Sequence, residues 1–331
     1  MPLRDLIGNA RVAKALTRAN ARDRLPHALL FAGPDGVGKR TFAMELAKAV
    51  TCHSPVDGDA CGTCDSCVRA TSGEHPDIRV FVPEGTLHKI AQMRELAREA
   101  QYRPFDDHRR VMIVDDAHKM RDEAANAILK TLEEPPPTTL IVLVTDKPYS
   151  LLGTIRSRCQ TLRFAPVDAE SIEGFLGERF KRPADETKVL SRVAAGRIGR
   201  ALSTDLSVYR DRRKEMLGLI ELLASRGDRL RLMKAAQFLA DVGRKDRSEL
   251  DARLDLFVDL CRDVYGVALG EPSDGVANAD VTLRLEALAA STPPERIATW
   301  IDAVERLRER LRQNANRQVA LEAMLLGLGG E

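Results

Sequence analysis

Residues 28–41 read Ala-Leu-Leu-Phe-Ala-Gly-Pro-Asp-Gly-Val-Gly-Lys-Arg-Thr, and they carry the strongest structural signal in the sequence. Residues 28–32 are a short apolar run, which predicts a buried strand of a parallel sheet. The pattern from Thr41 to Val50 predicts a helix. A strand, a glycine-rich loop and a helix in this order are the structural setting of a phosphate-binding loop.

The loop matches the G-x-x-x-x-G-K pattern through Gly33, Gly38 and Lys39. Glycines, among them Gly36, allow successive backbone N–H groups to turn inward around an anion, and the following helix adds the positive end of its dipole. An incidental lysine in a glycine-rich turn is the weaker interpretation, because the strand and the helix frame the loop. We therefore predict that these residues bind nucleotide phosphates.

The residue after the lysine departs from the working pattern. An active loop places Ser or Thr there, and its hydroxyl holds Mg²⁺. Here the residue is Arg40, and Thr41 comes one position later. One helical position rotates a side chain by about 100°, so Thr41 does not simply replace the missing ligand. We expect ATP or ADP binding, with Thr41 as a candidate contact, and we expect Mg²⁺-assisted hydrolysis to be weak or absent.

Three further segments predict strands, namely residues 78–82, 111–114 and 140–144. Helical segments such as 124–132 separate them, and this alternation predicts a doubly wound α/β domain with a parallel sheet. Ligands of such sheets bind at the carboxyl ends of the strands.

Polar residues stand at these strand ends. Asp115 and Asp116 follow the third strand, where the first carboxylate would support Mg²⁺ and the second, normally Glu, would polarise the attacking water. Asp116 is one methylene shorter than Glu, and a displacement of about 1 Å is harmful to catalysis. Thr145 ends the fourth strand and is a candidate γ-phosphate sensor. A solvated turn for the aspartates and an ordinary strand residue for the threonine are the alternative interpretations.

A cluster of cysteines follows the first helix with the spacing C-x₈-C-x₂-C-x₂-C. Its members are Cys52, Cys61, Cys64 and Cys67. Four thiolates suit tetrahedral Zn²⁺ in a closed structural site. An iron–sulfur cluster is the chemical competitor, but its sequence pattern continues with a further cysteine followed by proline. We predict a zinc module at residues 52–67.

Bulk composition narrows the classes of function. Lys and Arg number 51 and Asp and Glu 49, a net charge of +2, which gives no support to a large basic nucleic-acid surface. The chain has no run of eighteen apolar residues, so we expect no membrane span, and a cytoplasmic location is the default.

From about residue 208 onward the pattern is helical, with a predicted loop at 271–279, and a helix-bundle core is favoured over a coiled coil.

The segment 154–159, Thr-Ile-Arg-Ser-Arg-Cys, follows the fourth strand. An arginine here could lie at the surface and reach a neighbouring subunit. Spacing alone favours an ordinary surface salt bridge for Arg158.

Together these motifs resemble one family. The phosphate loop, the cysteine insertion, the Val-Asp-Asp strand end, the run Leu-Lys-Thr-Leu-Glu-Glu-Pro-Pro at 129–136 and Ser-Arg-Cys at 157–159 occur in the order of bacterial DNA polymerase III clamp-loader subunits of the AAA+ superfamily. The resemblance covers nearly the whole chain. It implies an AAA+ domain at 1–165, a small helical lid at 166–207 and a helical collar at 208–331.

Within this family the chain is similar to the delta-prime type, which presents the Ser-Arg-Cys arginine to a motor subunit but has a degraded active site. Arg40, Asp116 and Gly199 each replace a residue of the active motor. Arg200 leaves the second-sensor position open. The resemblance implies that Arg158 is an arginine finger acting in trans. It also implies gamma or tau and delta subunits as partners in a hetero-pentamer that loads a sliding clamp at primer–template DNA.

The sequence leaves two alternative functions to consider. The first is an active clamp-loader ATPase of the gamma or tau type. The second is a zinc-dependent DNA-binding protein, which is disfavoured because Arg69 is the only Lys or Arg between Cys52 and Glu74.

Overall fold

The computed structural model describes residues 2–106, 109–225, 228–272 and 276–330. The chain forms two compact units, Met1–Arg182 with Ala194–Leu202, and Pro183–Val193 with Ser203–Glu331. Part of the predicted loop at 271–279 lies outside the described residues.

The strands all belong to the first unit. They are β1 Ala28–Ala32, β2 Ile78–Phe81, β3 Arg110–Val114, β4 Thr139–Thr145 and β5 Gln160–Arg163. The α-helices run along the whole chain. They are α1 Ala10–Ala21, α2 Lys39–Val50, α3 Asp65–Ser72, α4 Ile90–Glu99, α5 Asp122–Glu133, α6 Gly153–Arg156, α7 Ala169–Phe180, α8 Ala184–Val193, α9 Ile198–Ser203, α10 Leu206–Ala224, α11 Arg229–Lys245, α12 Arg247–Ala268, α13 Thr282–Ser291, α14 Pro294–Arg312 and α15 Arg317–Gly330.

The strands form one parallel sheet with the order β2-β3-β4-β1-β5. Ala32 is paired with Thr145, and Val114 with Leu143. Because β3, β4 and β1 are neighbours, the residues that follow them meet at one edge of the sheet. This places the phosphate loop, the aspartate pair and Thr145 together, as the sequence predicted.

Side chains alternate between the two faces of the central strands. Leu29 and Phe31 of β1 join the core formed with α1 and α2, whereas Leu30 joins the core formed with α4 and α5. Both faces are covered, which explains why the central strands are continuously apolar. Buried apolar area stabilises a fold by about 25 cal/mol per Å², so these layers hold the loops of the candidate site in place.

The four predicted strands are confirmed, and the structure adds β5. β5 reads Gln-Thr-Leu-Arg and is mostly exposed at the edge of the sheet beside β1. An edge strand needs no continuous apolar run, so its sequence carried no strand signal.

Among the residues that the structure describes, the second unit contains helices joined by loops and no strand, as predicted. On α12 the apolar side chains of Leu250, Leu254, Phe257 and Val264 are buried. Helix α14 begins at Pro294 and buries Ile297 and Trp300. Proline at the first helical position needs no hydrogen-bond partner for its nitrogen, which fixes this start.

Candidate nucleotide site and cysteine cluster

The phosphate loop connects β1 to α2 and holds Lys39 under its own backbone. The Lys39 side chain is buried, and its Nζ donates to the carbonyl oxygens of Gly33 at 2.8 Å and Pro34 at 2.6 Å. Burial is the main cause that lowers the pKa of Lys39, against nearby carboxylates led by Asp35 that raise it. An incoming phosphate could therefore replace these carbonyl oxygens as the hydrogen-bond acceptor of Lys39 Nζ.

Glycine is required at several points of this loop. A Cβ at Gly33 would lie 2.4 Å from the Phe164 carbonyl oxygen. Gly36 and Gly38 have φ values of +77° and +95°, a region that side chains disfavour. The Gly36 carbonyl accepts a 2.8 Å hydrogen bond from the N–H of Gly199. The loop backbone is thus held in a turned conformation that strongly favours glycine.

Arg40 reaches across the site to Asp115. Its Nη1 lies 3.2 Å from Asp115 Oδ2, and the Arg40 side chain is 58% exposed. A guanidinium has no acceptor atom and cannot ligate a metal. The two positions that would support Mg²⁺ in a working phosphate loop are therefore occupied by an ion pair. These residues do not fit a magnesium site.

Asp116 lies in the left-handed region, with φ 48°, and its Oδ2 is 2.8 Å from Lys119 Nζ. Burial acts to raise the pKa of Asp116, but the hydrogen bond and charge of Lys119, with His118 and His88, outweigh it and lower that pKa. The carboxylate is held as an anion by its lysine, which leaves it a weak base for activating water.

Thr145 is buried at the end of β4. Its hydroxyl is 3.3 Å from His118 Nδ1 and accepts a 3.0 Å hydrogen bond from the N–H of Lys147. The candidate sensor lies beside the aspartate pair, and its hydroxyl contacts other residues of the chain.

These elements surround a cavity of about 320 Å³. Its lining comprises Asp35, Gly36, Gly38, Lys39, Arg40, Thr41, Asp115, Asp116, Val144, Asp146, Ile198, Gly199 and Leu202. Thr41 is exposed and lines the cavity, as do Gly36, Gly38 and the aspartates that the sequence singled out. Carboxylates outnumber basic groups in this lining.

The four cysteines of the predicted zinc module converge. Their Sγ atoms all lie within 4.8 Å of one another, and the pairs Cys52–Cys64 and Cys61–Cys67 are each 3.9 Å apart. A tetrahedral zinc with Zn–S bonds of about 2.3 Å places sulfurs about 3.8 Å apart. The four cysteines could therefore hold a zinc ion without rearrangement of the chain.

Backbone amides support thiolates in this cluster. The N–H of Cys61 donates to Cys52 Sγ at 3.3 Å, and that of Cys64 donates to Cys61 Sγ at 3.4 Å. Hydrogen bonds from the backbone of Thr63 and Cys64 lower the pKa of Cys61 to about 5. Metal ligation requires the thiolate form, which the backbone favours at Cys61, whereas burial raises the pKa of Cys52 and of Cys67.

The module is fixed to the N-terminal segment by a buried aspartate. Asp59 accepts hydrogen bonds from the N–H groups of Leu3 at 3.0 Å and Arg4 at 3.1 Å. Cys52 and Cys67 also belong to the core formed with α2. The cysteine cluster is therefore part of the packing of the first unit.

Arg158 lies just after α6, on the surface of the first unit. Its Nη2 is 2.6 Å from Glu133 Oε1 at the end of α5, and its Nη1 donates to the Thr154 carbonyl oxygen at 2.9 Å. The Arg158 side chain is 34% exposed. The arginine is outside the chain's own nucleotide cavity and is available at the surface once its pair with Glu133 opens.

Several residues of these sites were missed from the sequence. Lys119 pairs with Asp116, His118 contacts Thr145, and Glu133 pairs with Arg158. His88 donates from Nε2 to the carbonyl oxygen of Asp115 at 2.7 Å. His118 and Lys119 follow the Val-Asp-Asp strand end and Glu133 lies within the run at 129–136, but His88 comes from a distant loop that no motif marks.

A parallel sheet with this strand order, a phosphate loop after β1 and a carboxylate after β3 define a phosphate-loop protein of the AAA+ class. Residues 8–168 match the family described as DNA polymerase III, delta subunit, and residues 211–329 match its C-terminal family.

Relatives extend this match over the whole chain. DNA polymerase III subunit delta' of Bacillus subtilis is 33% identical over 96% of this chain and 95% of its own. Subunit delta' of Pseudomonas aeruginosa is 28% identical over 94% of each chain. Subunit tau of Escherichia coli is 28% identical over 97% of this chain, which spans 53% of that longer protein. The chain belongs to the delta-prime family of DNA polymerase III clamp-loader subunits.

A crystal structure of a gamma subunit-related protein from Thermotoga maritima is 20% identical, covers 97% of this chain and 98% of its own, and has a TM-score of 0.41.

Among the described residues, no helix has the length and apolar content needed to cross a membrane.

Proposed function

We propose that this clamp-loader subunit is a stator, which presents Arg158 to ATP bound by a neighbouring motor subunit and hydrolyses no ATP itself. The observation that carries the proposal is the ion pair between Arg40 and Asp115, at 3.2 Å. It occupies the place where a phosphate-loop ATPase holds Mg²⁺ between its hydroxyl and its carboxylate. The pairing of Asp116 with Lys119 supports the same conclusion.

Arg158 is the residue through which the subunit would act. It lies at the surface, outside the nucleotide cavity of its own chain. A planar guanidinium can bind phosphoryl oxygens in a bidentate manner. When the partner's ATP approaches, Arg158 exchanges the carboxylate of Glu133 for phosphate oxygens and stabilises the charge of the transferring group.

The proposed setting is a hetero-pentamer with gamma or tau and delta subunits, which loads a sliding clamp at primer–template DNA. We propose residues 1–165 as the AAA+ domain, 166–207 as its lid and 208–331 as the collar that joins other subunits. Zinc held by the four cysteines would be structural, because all four tetrahedral positions are filled by protein.

The rival proposal is an active gamma or tau type ATPase. Lys39 and the loop glycines favour it, since they retain the phosphate cradle. The Arg40–Asp115 pair opposes it, because nucleotide binding without a metal ligand does not produce metal-assisted hydrolysis.

Reconstitution tests the proposal. The chain is purified with gamma or tau and delta subunits, and clamp loading on primed DNA is measured with and without it. We expect a complete loader only in its presence. Full loading by the remaining subunits alone would contradict the proposal.

A further inference from the structure

The nucleotide cavity keeps its phosphate-binding parts although its metal-binding parts are lost. Gly36 and Gly38 hold the turned backbone, and Lys39 lies buried beneath it. The helix α2 begins at Lys39, so its first backbone N–H groups have no partner within the helix and face the loop. A cradle for phosphate oxygens therefore persists without a site for Mg²⁺.

The side chains that line the cavity determine how much additional positive charge a bound polyphosphate would require. Asp35, Asp115, Asp116 and Asp146 line the cavity, against Lys39 and Arg40. A nucleotide polyphosphate adds several negative charges, which in a working site are balanced by the metal. Without the metal, an additional cation must approach the phosphates. Arg40 can supply it, because its side chain is exposed and its contact with Asp115 spans 3.2 Å.

We propose that the phosphate loop of this subunit binds the polyphosphate of a nucleotide without magnesium, and that Arg40 supplies the positive charge which the metal would otherwise bring. On binding, the guanidinium turns from Asp115 toward the phosphate oxygens. No bond to phosphorus is broken, so the nucleotide stays bound without being hydrolysed and contacts both the loop and the start of α2. The nucleotide as ligand rests on the proposed function, since it presumes an AAA+ site.

Calorimetric titration of the full-length chain with ATP and with ADP, in EDTA and in excess Mg²⁺, tests the inference. We expect binding in EDTA that is at least as tight as in Mg²⁺. Arg40→Ala should weaken binding in EDTA by about tenfold or more, because a charge-assisted contact to phosphate is lost. Arg98→Ala removes the same charge from exposed α4 outside the cavity and should leave the affinity unchanged.

Arg40→Thr supplies the complementary variant, because it restores a hydroxyl at the metal position. Its binding should become dependent on Mg²⁺. Wild-type binding that disappears in EDTA, or wild-type chain that binds neither nucleotide, would overturn the inference. Titration with inorganic triphosphate distinguishes a nucleotide site from a site for any polyphosphate. Weaker binding of inorganic triphosphate than of ATP supports a nucleotide site, and equal binding of the two would overturn the assignment to a nucleotide.

Failure of the metal-free nucleotide site can be distinguished from failure of the proposed stator function. A chain that binds no nucleotide but completes the loader refutes only the metal-free site. A chain that binds ATP in EDTA but adds nothing to clamp loading refutes only the stator role.

Discussion

Arg40 and Asp115 face each other across the phosphate loop, with 3.2 Å between Nη1 and Oδ2. In a metal-dependent ATPase these two positions would share a Mg²⁺ ion. Here the positive charge is part of the chain, at the start of α2, and the carboxylate at the end of β3 is already paired. The pair therefore stands where the metal ligands of such an ATPase would be, while Gly36 and Gly38 keep the loop backbone turned.

Arg158→Ala should leave the loader assembled but slow the hydrolysis of ATP at the interface that this arginine serves. An arginine supplied in trans contributes about 10³–10⁵-fold to such a step. We expect the DNA-stimulated ATPase rate of the complete loader to fall by the share that this one site contributes. Gel filtration checks assembly, and single-turnover hydrolysis checks the rate.

Arg158→Lys is the matched variant, because it keeps the charge and the pairing with Glu133 but loses the planar fork. It should be nearly as slow as the alanine variant. A hydrolysis rate equal to that of wild type in both variants would remove the trans role.

Glu133→Gln should free Arg158 at little cost in stability. The two side chains are 34% and 47% exposed, and pairs of this kind contribute about 0–1 kcal/mol to folding. We expect an unfolding free energy within about 1 kcal/mol of wild type and an ATPase rate of the loader that is not reduced. A strongly reduced rate would indicate that Glu133 has a positive role in aligning Arg158.

The cysteine cluster should contain one zinc per chain by elemental analysis, since all four Sγ atoms lie within 4.8 Å of one another. Cys67→Ser should lose the metal and lower the melting temperature by roughly 10 °C or more, because Cys67 also belongs to the core around α2.

Cys159→Ser is the control for this experiment. Cys159 is buried in the core on the opposite face of the sheet, so the variant should retain its zinc even if its stability changes. Iron in stoichiometric amount, with an absorbance of an iron–sulfur cluster, would contradict the zinc assignment.

Asp263 should make the stability of the second unit fall as pH rises. Burial raises its pKa, against hydrogen bonds from Asn278 and Ala277 that lower it. Above about pH 4 the unfolded chain gives up this proton while the folded chain retains it. The unfolded state then binds fewer protons, so the unfolding free energy decreases with pH until the raised pKa is passed.

Asp263→Asn should remove that contribution. Denaturant unfolding between about pH 4 and 7 measures the slope in wild type and variant. Asp211→Asn, at an exposed position of α10, should retain the wild-type slope. Identical slopes for wild type and Asp263→Asn would contradict the assignment.

Sequence reasoning located the elements that carry strong local signals. The apolar run at 28–32, the glycine pattern and the cysteine spacing each fix a local structure by chain stereochemistry or ligand geometry, and the structure places them as expected. The carboxyl ends of β1, β3 and β4 meet because the strands are parallel neighbours.

The parts that could not be predicted depend on tertiary contacts. β5 is polar and exposed, and it is a strand only because β1 offers it hydrogen bonds. The sequence showed that Arg40 removes a metal ligand, but the pairing with Asp115 joins residues 75 positions apart. The contact of His88 with Asp115 likewise depends on how the loops meet. Periodicity and motif spacing contain no information about such contacts.

The absence of hydrolysis by this subunit is measured by steady-state ATP turnover of the isolated chain, with Mg²⁺ and primed DNA present. We expect a rate no higher than that of Lys39→Ala, because Arg40 and Asp115 leave no place for the metal. A Mg²⁺-dependent turnover by wild type that is lost in Lys39→Ala would contradict it.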